Sequence, residues 1–219
     1  MSQDAKALPQ SEQLNIAAFS KLFTHTANSY KYLFFLALLN VLNQRQFDPA
    51  PIALQDLIVE MLVVGWQGYH PHHLSFGNKD AISGRFDAFV VEVGNELAGD
   101  ALRQAIAKKM GATIRDLKRF APYRLIRPFL DNELKGVKSS EANQKIASLS
   151  REHFQDKKPL YRFNDKEESI TIHSEWEAYL KVNYAIVHDR AIEEWASYMQ
   201  KCNPKIADLR SKLLTGNES

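Results

Sequence analysis

Residues 28 to 42, Asn-Ser-Tyr-Lys-Tyr-Leu-Phe-Phe-Leu-Ala-Leu-Leu-Asn-Val-Leu, form the most apolar run in the chain and constrain it more than any other stretch. Tyr30, Leu33, Phe34, Ala37, Leu38, Val41 and Leu42 repeat at the spacing of one helical face. Phe35, Leu36 and Leu39 fill the opposite face, so the helix is apolar nearly all round and must be packed on more than one side. Lys31 and Asn40 interrupt it well short of the roughly 20 apolar residues that a membrane span needs, so no membrane partner is expected. Asn28 or Ser29 is placed to cap its start.

A chain of 219 residues, 45% hydrophobic, has enough material to cover such a helix. We expect flexible ends at 1–12 and 215–219 and a single α-helical domain over 13–214. Leu14, Ile16, Phe19, Leu22 and Phe23 suggest a short amphipathic helix, joined to the core helix by a polar turn at 24–26. Prolines 49 and 51 break the pattern after it, because proline lacks the backbone donor and restricts its predecessor.

Leu54, Leu57, Ile58, Met61 and Leu62 then predict a second helix ending near Gly65-Trp66, and Ile82, Phe86, Phe89, Val93 and Leu97 predict a third closed by Gly99. Helices follow from Asp100 to Gly111 and, through a Thr113/Asp116 capping box, to Phe120, where Ala121-Pro122 ends the pattern. Residues 135–143 read as a mobile loop. Alternation at 160–163 and 169–172 predicts a β-hairpin, and Ser174 with Glu177 opens one long helix ended by Pro204. The expected fold is mostly α: a bundle-like domain of seven to nine helices with one small hairpin near 160–172.

The single cysteine, Cys202, excludes an internal disulfide framework and a cysteine-rich zinc site, and with no signal pattern at the N-terminus a cytoplasmic location is expected. No glycine-rich phosphate loop and no Ser/His/Asp arrangement is present. His70, His72 and His73 are the one concentration of metal-type ligands, but a fourth ligand is missing nearby. Packing of that loop on Trp66 and Phe76 is the plainer expectation, with no metal and no cofactor. Glu92, Glu96 and Asp100 share a helix face in this reading, as a solvated acidic surface.

Net charge is only +2, but its distribution is uneven. From 103 to 127 stand eight basic residues, Arg103, Lys108, Lys109, Arg115, Lys118, Arg119, Arg124 and Arg127, against one acid, Asp116. Several cations on one surface neutralise phosphates, and Tyr123 could stack or bond there. The competing reading is that some of these arginines pair with the acidic segment before them.

Asn28-Ser29-Tyr30-Lys31, Leu74-Ser75-Phe76-Gly77, Pro122-Tyr123-Arg124, Pro128-Phe129, Leu160-Tyr161, Trp176 with Tyr179 and Leu180, Asn183-Tyr184 and Asn203-Pro204 occur in an order that resembles one family. The family is the bacterial HNH endonuclease domain-containing proteins, in the α-helical region preceding their nuclease module. The paired cysteines and metal-binding His core of that module have no counterpart in these residues. The resemblance therefore implies a non-enzymatic, DNA-associated or scaffolding subunit beside a separate nuclease or ATPase subunit, in an anti-phage or anti-plasmid system. The alternatives are a stand-alone metal-dependent enzyme using His70, His72 and His73, and a protein-interaction module without DNA contact.

Overall fold

The computed structural model describes residues 7–24, 28–70, 72–78, 80–94 and 96–214. Its helices are α1 (Ile16–Ser20), α2 (Tyr30–Gln44), α3 (Leu54–Tyr69), α4 (Ile82–Val93), α5 (Gly99–Lys109), α6 (Gly111–Lys118), α7 (Ala121–Ile126), α8 (Ala142–Glu152), α9 (Ser174–Val182), α10 (Tyr184–Cys202) and α11 (Leu209–Leu214), with short 3-10 turns at Lys21–Phe23 and Arg127–Phe129. Three short strands, β1 (Ile52–Ala53), β2 (Tyr161–Phe163) and β3 (Ser169–Ile172), form an antiparallel sheet in the order β1-β3-β2. The fold is mostly α, as the periodicity predicts. Among the described residues no helix is long and apolar enough to cross a membrane.

Helix α2 is the centre of the core. Every residue from Tyr32 to Leu39 is buried, as are Val41 and Leu42, and the helix packs on α3, α10 and α7. Each fully buried Leu or Phe contributes roughly 1.5–3 kcal/mol, so α2 is a major source of the apolar surface removed from water. Helix α3 lies against it and runs one turn past the expected end, through two glycines, to Tyr69. Gly68 is what permits this. A Cβ there would stand 2.7 Å from the Trp195 ring of α10, so the third side of the bundle closes only over a residue without one.

The start of α2 is tied down locally, where Asn28 Oδ1 accepts the Tyr30 N–H (3.3 Å), and also from a distance. Asp80 accepts from the Ser29 backbone N–H (3.0 Å) and from Ser29 Oγ (2.5 Å), while its second oxygen caps α4 through the N–H of Ile82 (2.9 Å). Burial raises the Asp80 carboxyl above its ordinary value despite these three donors, which pull the other way. One carboxylate thus joins the beginnings of two helices.

Several expectations need correction. The helices outnumber seven to nine. In α8, overlapping the end of the expected loop at 135–143, Ile146 and Leu149 are the only large apolar anchors, too sparse to register as a period. The expected long C-terminal helix is split at Asn183 into α9 and α10. Ala121-Pro122 begins α7 instead of ending α6, since proline is tolerated in a first turn where its missing N–H has no partner to lose. Glu92, Glu96 and Asp100 do not share a helix, because α4 stops at Val93.

The hairpin gains β1, two residues pairing Ile52 with Ile170 and Ala53 with Ser169, which is too short to show alternation. Of the segment expected to be flexible, 1–6 lies outside the described residues, as do 215–219 and most of the polar turn at 24–26, residues 25 and 26. Residues 7–12 are laid on the core: Leu8 is buried, and Tyr179 donates its hydroxyl to the Pro9 carbonyl (2.7 Å).

The capping box expected at Ser174 is displaced by one residue. His173 is the N-cap, accepting the Glu175 N–H on Nδ1 (3.2 Å), and burial holds its imidazole below the ordinary 6.5. Accepting on Nδ1 requires the neutral ring. Its folded pKa is depressed, so its contribution is present above pH 6.5 and lost as pH falls through the folded value. Acidification from neutral toward pH 5 should lower the urea midpoint, and His173→Asn, a cap that does not titrate here, should weaken that dependence. Leu38→Asp, by contrast, puts a charge at a fully buried position of α2. The cost of several kcal/mol rivals a whole domain's stability, so this variant should not accumulate in soluble form, and unchanged melting would refute the placement of α2.

Candidate nucleic-acid interface

The eight basic residues between 103 and 127 separate into two sets. Arg103 on α5 turns inward: its Nε donates to Glu60 (2.9 Å) and its Nη1 to Asp100 (3.3 Å). Glu60, on α3, is 5% exposed, and its other oxygen accepts from Asn40 of α2 (3.2 Å). A carboxylate that deep must be paired. Lys109 reaches Glu92 (3.9 Å) and Arg127 reaches Asp131 (3.8 Å). These three residues have carboxylate partners, though only Asp100 and Glu92 belong to the acidic segment before the basic one.

Lys108, Arg115, Lys118, Arg119 and Arg124 form no ion pair among the described residues, and all but the half-buried Lys118 are exposed. Arg115, Lys118 and Arg119 stand at i, i+3 and i+4, one face of α6 and its C-cap. They line a cleft of about 340 Å³ with Asp116, Tyr123 and Glu167. Asp116 forms its ion pair with Arg85 of α4 (2.8 Å) rather than with any of the three. Arg85 is also the main reason why its carboxyl sits below the usual range, with Arg119 and Arg115 adding to the effect.

Lys31, at the start of α2, extends the positive surface toward α7. Burial lowers its ammonium pKa, and Arg124 and Arg127 lower it further against the opposing pull of Asp131.

Tyr123 does not offer the contact expected of it. Its ring stacks on Phe163 (centroids 4.6 Å apart, 15° between planes), and its hydroxyl donates to Glu167 (2.5 Å). Burial first, then that hydrogen bond, pushes the phenol well above its ordinary value. Glu167 is held in place by the turn between β2 and β3, where Asn164 Oδ1 accepts the N–H groups of Glu168 (2.8 Å) and Ser169 (3.2 Å).

An aromatic that does reach solvent is Phe120, the last residue of the helix expected there. Because α6 ends at Lys118, Phe120 falls outside its periodicity and is 42% exposed, with the Arg124 guanidinium over its ring (5.3 Å). Arg85 was likewise not singled out by the sequence, since only the packing of α4 near α6 brings it to Asp116.

The histidines of the α3–α4 connection are held by different partners. His70 lies flat on Trp66 (5.5 Å, 2°), and His73 Nδ1 is 2.9 Å from the Tyr69 hydroxyl, which donates to Asp87. Burial, then the bond to Asp87, lifts the Tyr69 phenol to about 12. His72 is exposed. Among the described residues no three His, Cys, Asp or Glu side chains are gathered as a metal ion would need.

Several of the motifs quoted for the expected resemblance meet one another in space. Asn203 pairs with the backbone of Ser75 as a neighbouring strand would, accepting its N–H and donating to its carbonyl (both 2.8 Å). Tyr161 donates to the Pro122 carbonyl, and Phe129 packs on the edge of Trp176 (5.6 Å). These contacts join distant parts of the fold.

The division of the cations is open to measurement. Arg103→Ala leaves the buried Glu60 carboxylate with one amide donor, a loss of roughly 2–4 kcal/mol once the part-exposure of the guanidinium is allowed for. Chemical denaturation should show it. The Lys118→Ala/Arg119→Ala double variant should change stability by less than about 1 kcal/mol. No protein-family model, curated protein or solved structure matches the chain.

Proposed function

We propose that the chain is a non-catalytic, DNA-associated subunit whose α6–α7 face contacts phosphates, and that it works beside a separate nuclease or ATPase subunit. The observation that carries this reading is the set of cations that form no ion pair among the described residues: Arg115, Lys118 and Arg119 on one face, with Arg124 on the next helix. Holding like charges together costs stability through mutual repulsion, and an anionic partner removes that cost. The resemblance to the helical region of HNH endonuclease domain-containing proteins supports the choice of DNA and of a nuclease partner, in an anti-phage or anti-plasmid system.

Contacts of this kind position a protein without reading base sequence. Binding of the isolated chain to DNA should therefore be independent of sequence and steeply weakened by salt. Four phosphate contacts give a log-log slope of about 3.6, and Lys118→Ala/Arg119→Ala should lower it by about 1.8 with the fold intact. The Arg103→Ala variant should leave the slope unchanged. If instead the face docks a protein partner, the isolated chain will not retard DNA even at low salt, and the double variant will lose complex assembly.

A further inference from the structure

Of the large apolar side chains left exposed among the described residues, Val91, Phe120, Val182 and Ile186, only Phe120 is aromatic, and it lies inside the basic segment. Its position is set by rigid neighbours. The Phe120 N–H donates to the Leu117 carbonyl (3.0 Å), its own carbonyl accepts from Arg124 (3.1 Å), and Asn143 of α8 holds the Arg119 carbonyl (2.6 Å). The residues that follow, Ala121, Pro122 and Tyr123, are buried. The ring thus stands at a fixed corner between α6 and α7, flanked in sequence by Arg119 and overlaid by the Arg124 guanidinium. A part-exposed aromatic with a guanidinium over one face, and further cations along one side, offers its edge and open face to a base and the cations to its flanking phosphates. Duplex DNA, with its bases stacked on one another, leaves the ring unused.

We infer that this face takes an unpaired stretch of DNA, with one base stacked at Phe120 and Arg124 and the adjoining phosphates on Arg115, Lys118 and Arg119. The inference rests on the phosphate-contacting role proposed above and adds to it the strand state of the ligand.

Binding of the full chain to a fluorescently labelled oligothymidine of roughly 12 nucleotides tests it, against a duplex and a single-stranded RNA of matched length. The single DNA strand should bind more tightly than the other two. Phe120→Ala should weaken it by roughly five- to 100-fold while leaving duplex binding unchanged. Phe120→Trp should retain the affinity, and Phe120→Leu, which keeps an apolar side chain at the corner, should be as weak as Phe120→Ala. Melting curves confirm that each variant is folded.

A fluorescent purine analogue in the strand should be quenched by the wild type and not by Phe120→Leu. Equal affinity for single strand and duplex, or no effect of Phe120→Leu, overturns the stacking inference; if Lys118→Ala/Arg119→Ala still reduces the salt slope, the phosphate-contacting role survives it. Absence of binding to either form overturns both, and tighter binding to RNA overturns the assignment to DNA.

Discussion

Helix α2 is buried on every side, and that single constraint decides most of what surrounds it. An amphipathic helix can lie on a core, whereas an apolar one must be enclosed, and here α3, α10 and α7 supply three walls. Enclosure has a consequence at the ends of the helix, where backbone donors have no intrahelical partner and water is kept out. Ser29 is fully buried, so its N–H and hydroxyl need an acceptor brought from elsewhere in the chain. Asp80 is that acceptor, and in serving α2 it also fixes where α4 begins. The position of α4 in turn brings Arg85 to Asp116, so the one acid of the basic segment forms its ion pair there rather than with Arg115 or Arg119.

The same enclosure explains why the basic residues fall into two groups. Where α5 crosses α3, a carboxylate is buried, and Arg103 is drawn in to meet it because an unpaired buried charge costs several kcal/mol. Farther along, α6 is short and lies at the surface with only Thr113, Ile114 and Leu117 committed to the core. Its remaining side chains have no internal charge to answer. Proximity in sequence to an acidic segment therefore says little about pairing; what matters is whether a carboxylate is buried within reach.

How much of this was legible in the sequence follows from the length and density of each signal. The all-round apolarity of residues 28–42 is a strong pattern, and the core helix it predicts is present with Leu33, Leu38 and Leu42 fully buried. The hairpin at 161–172 alternates clearly and forms as expected. Strand β1 is two residues long and owes its existence to β3, so no local pattern could announce it. Helix α8 has too few apolar anchors, and His173 displaces Ser174 as a cap because a neutral imidazole nitrogen can accept as a short side-chain oxygen does, which a capping-box pattern does not include. The basic segment itself was visible, but its division was not: Glu60 lies 43 residues from Arg103, a separation that no spacing rule spans.

Phe120 illustrates the same limit and adds a functional turn to it. As a member of an uninterrupted α6 it would fall on the inner face with Ile114 and Leu117, but Pro122 starts a new helix and swings the residue out. An exposed phenylalanine forfeits burial energy on the order of a kcal/mol or more. The Arg124 guanidinium returns part of that through a cation–π contact worth roughly 0.5–1 kcal/mol at an exposed site. Among the described residues, three of the four cations on this face that form no ion pair are arginines, whose planar forks bond phosphates in pairs and whose flat surfaces stack. Every nucleobase has a face to stack and every nucleotide a phosphate, so recognition built from these parts responds to whether the bases are free, whatever their order.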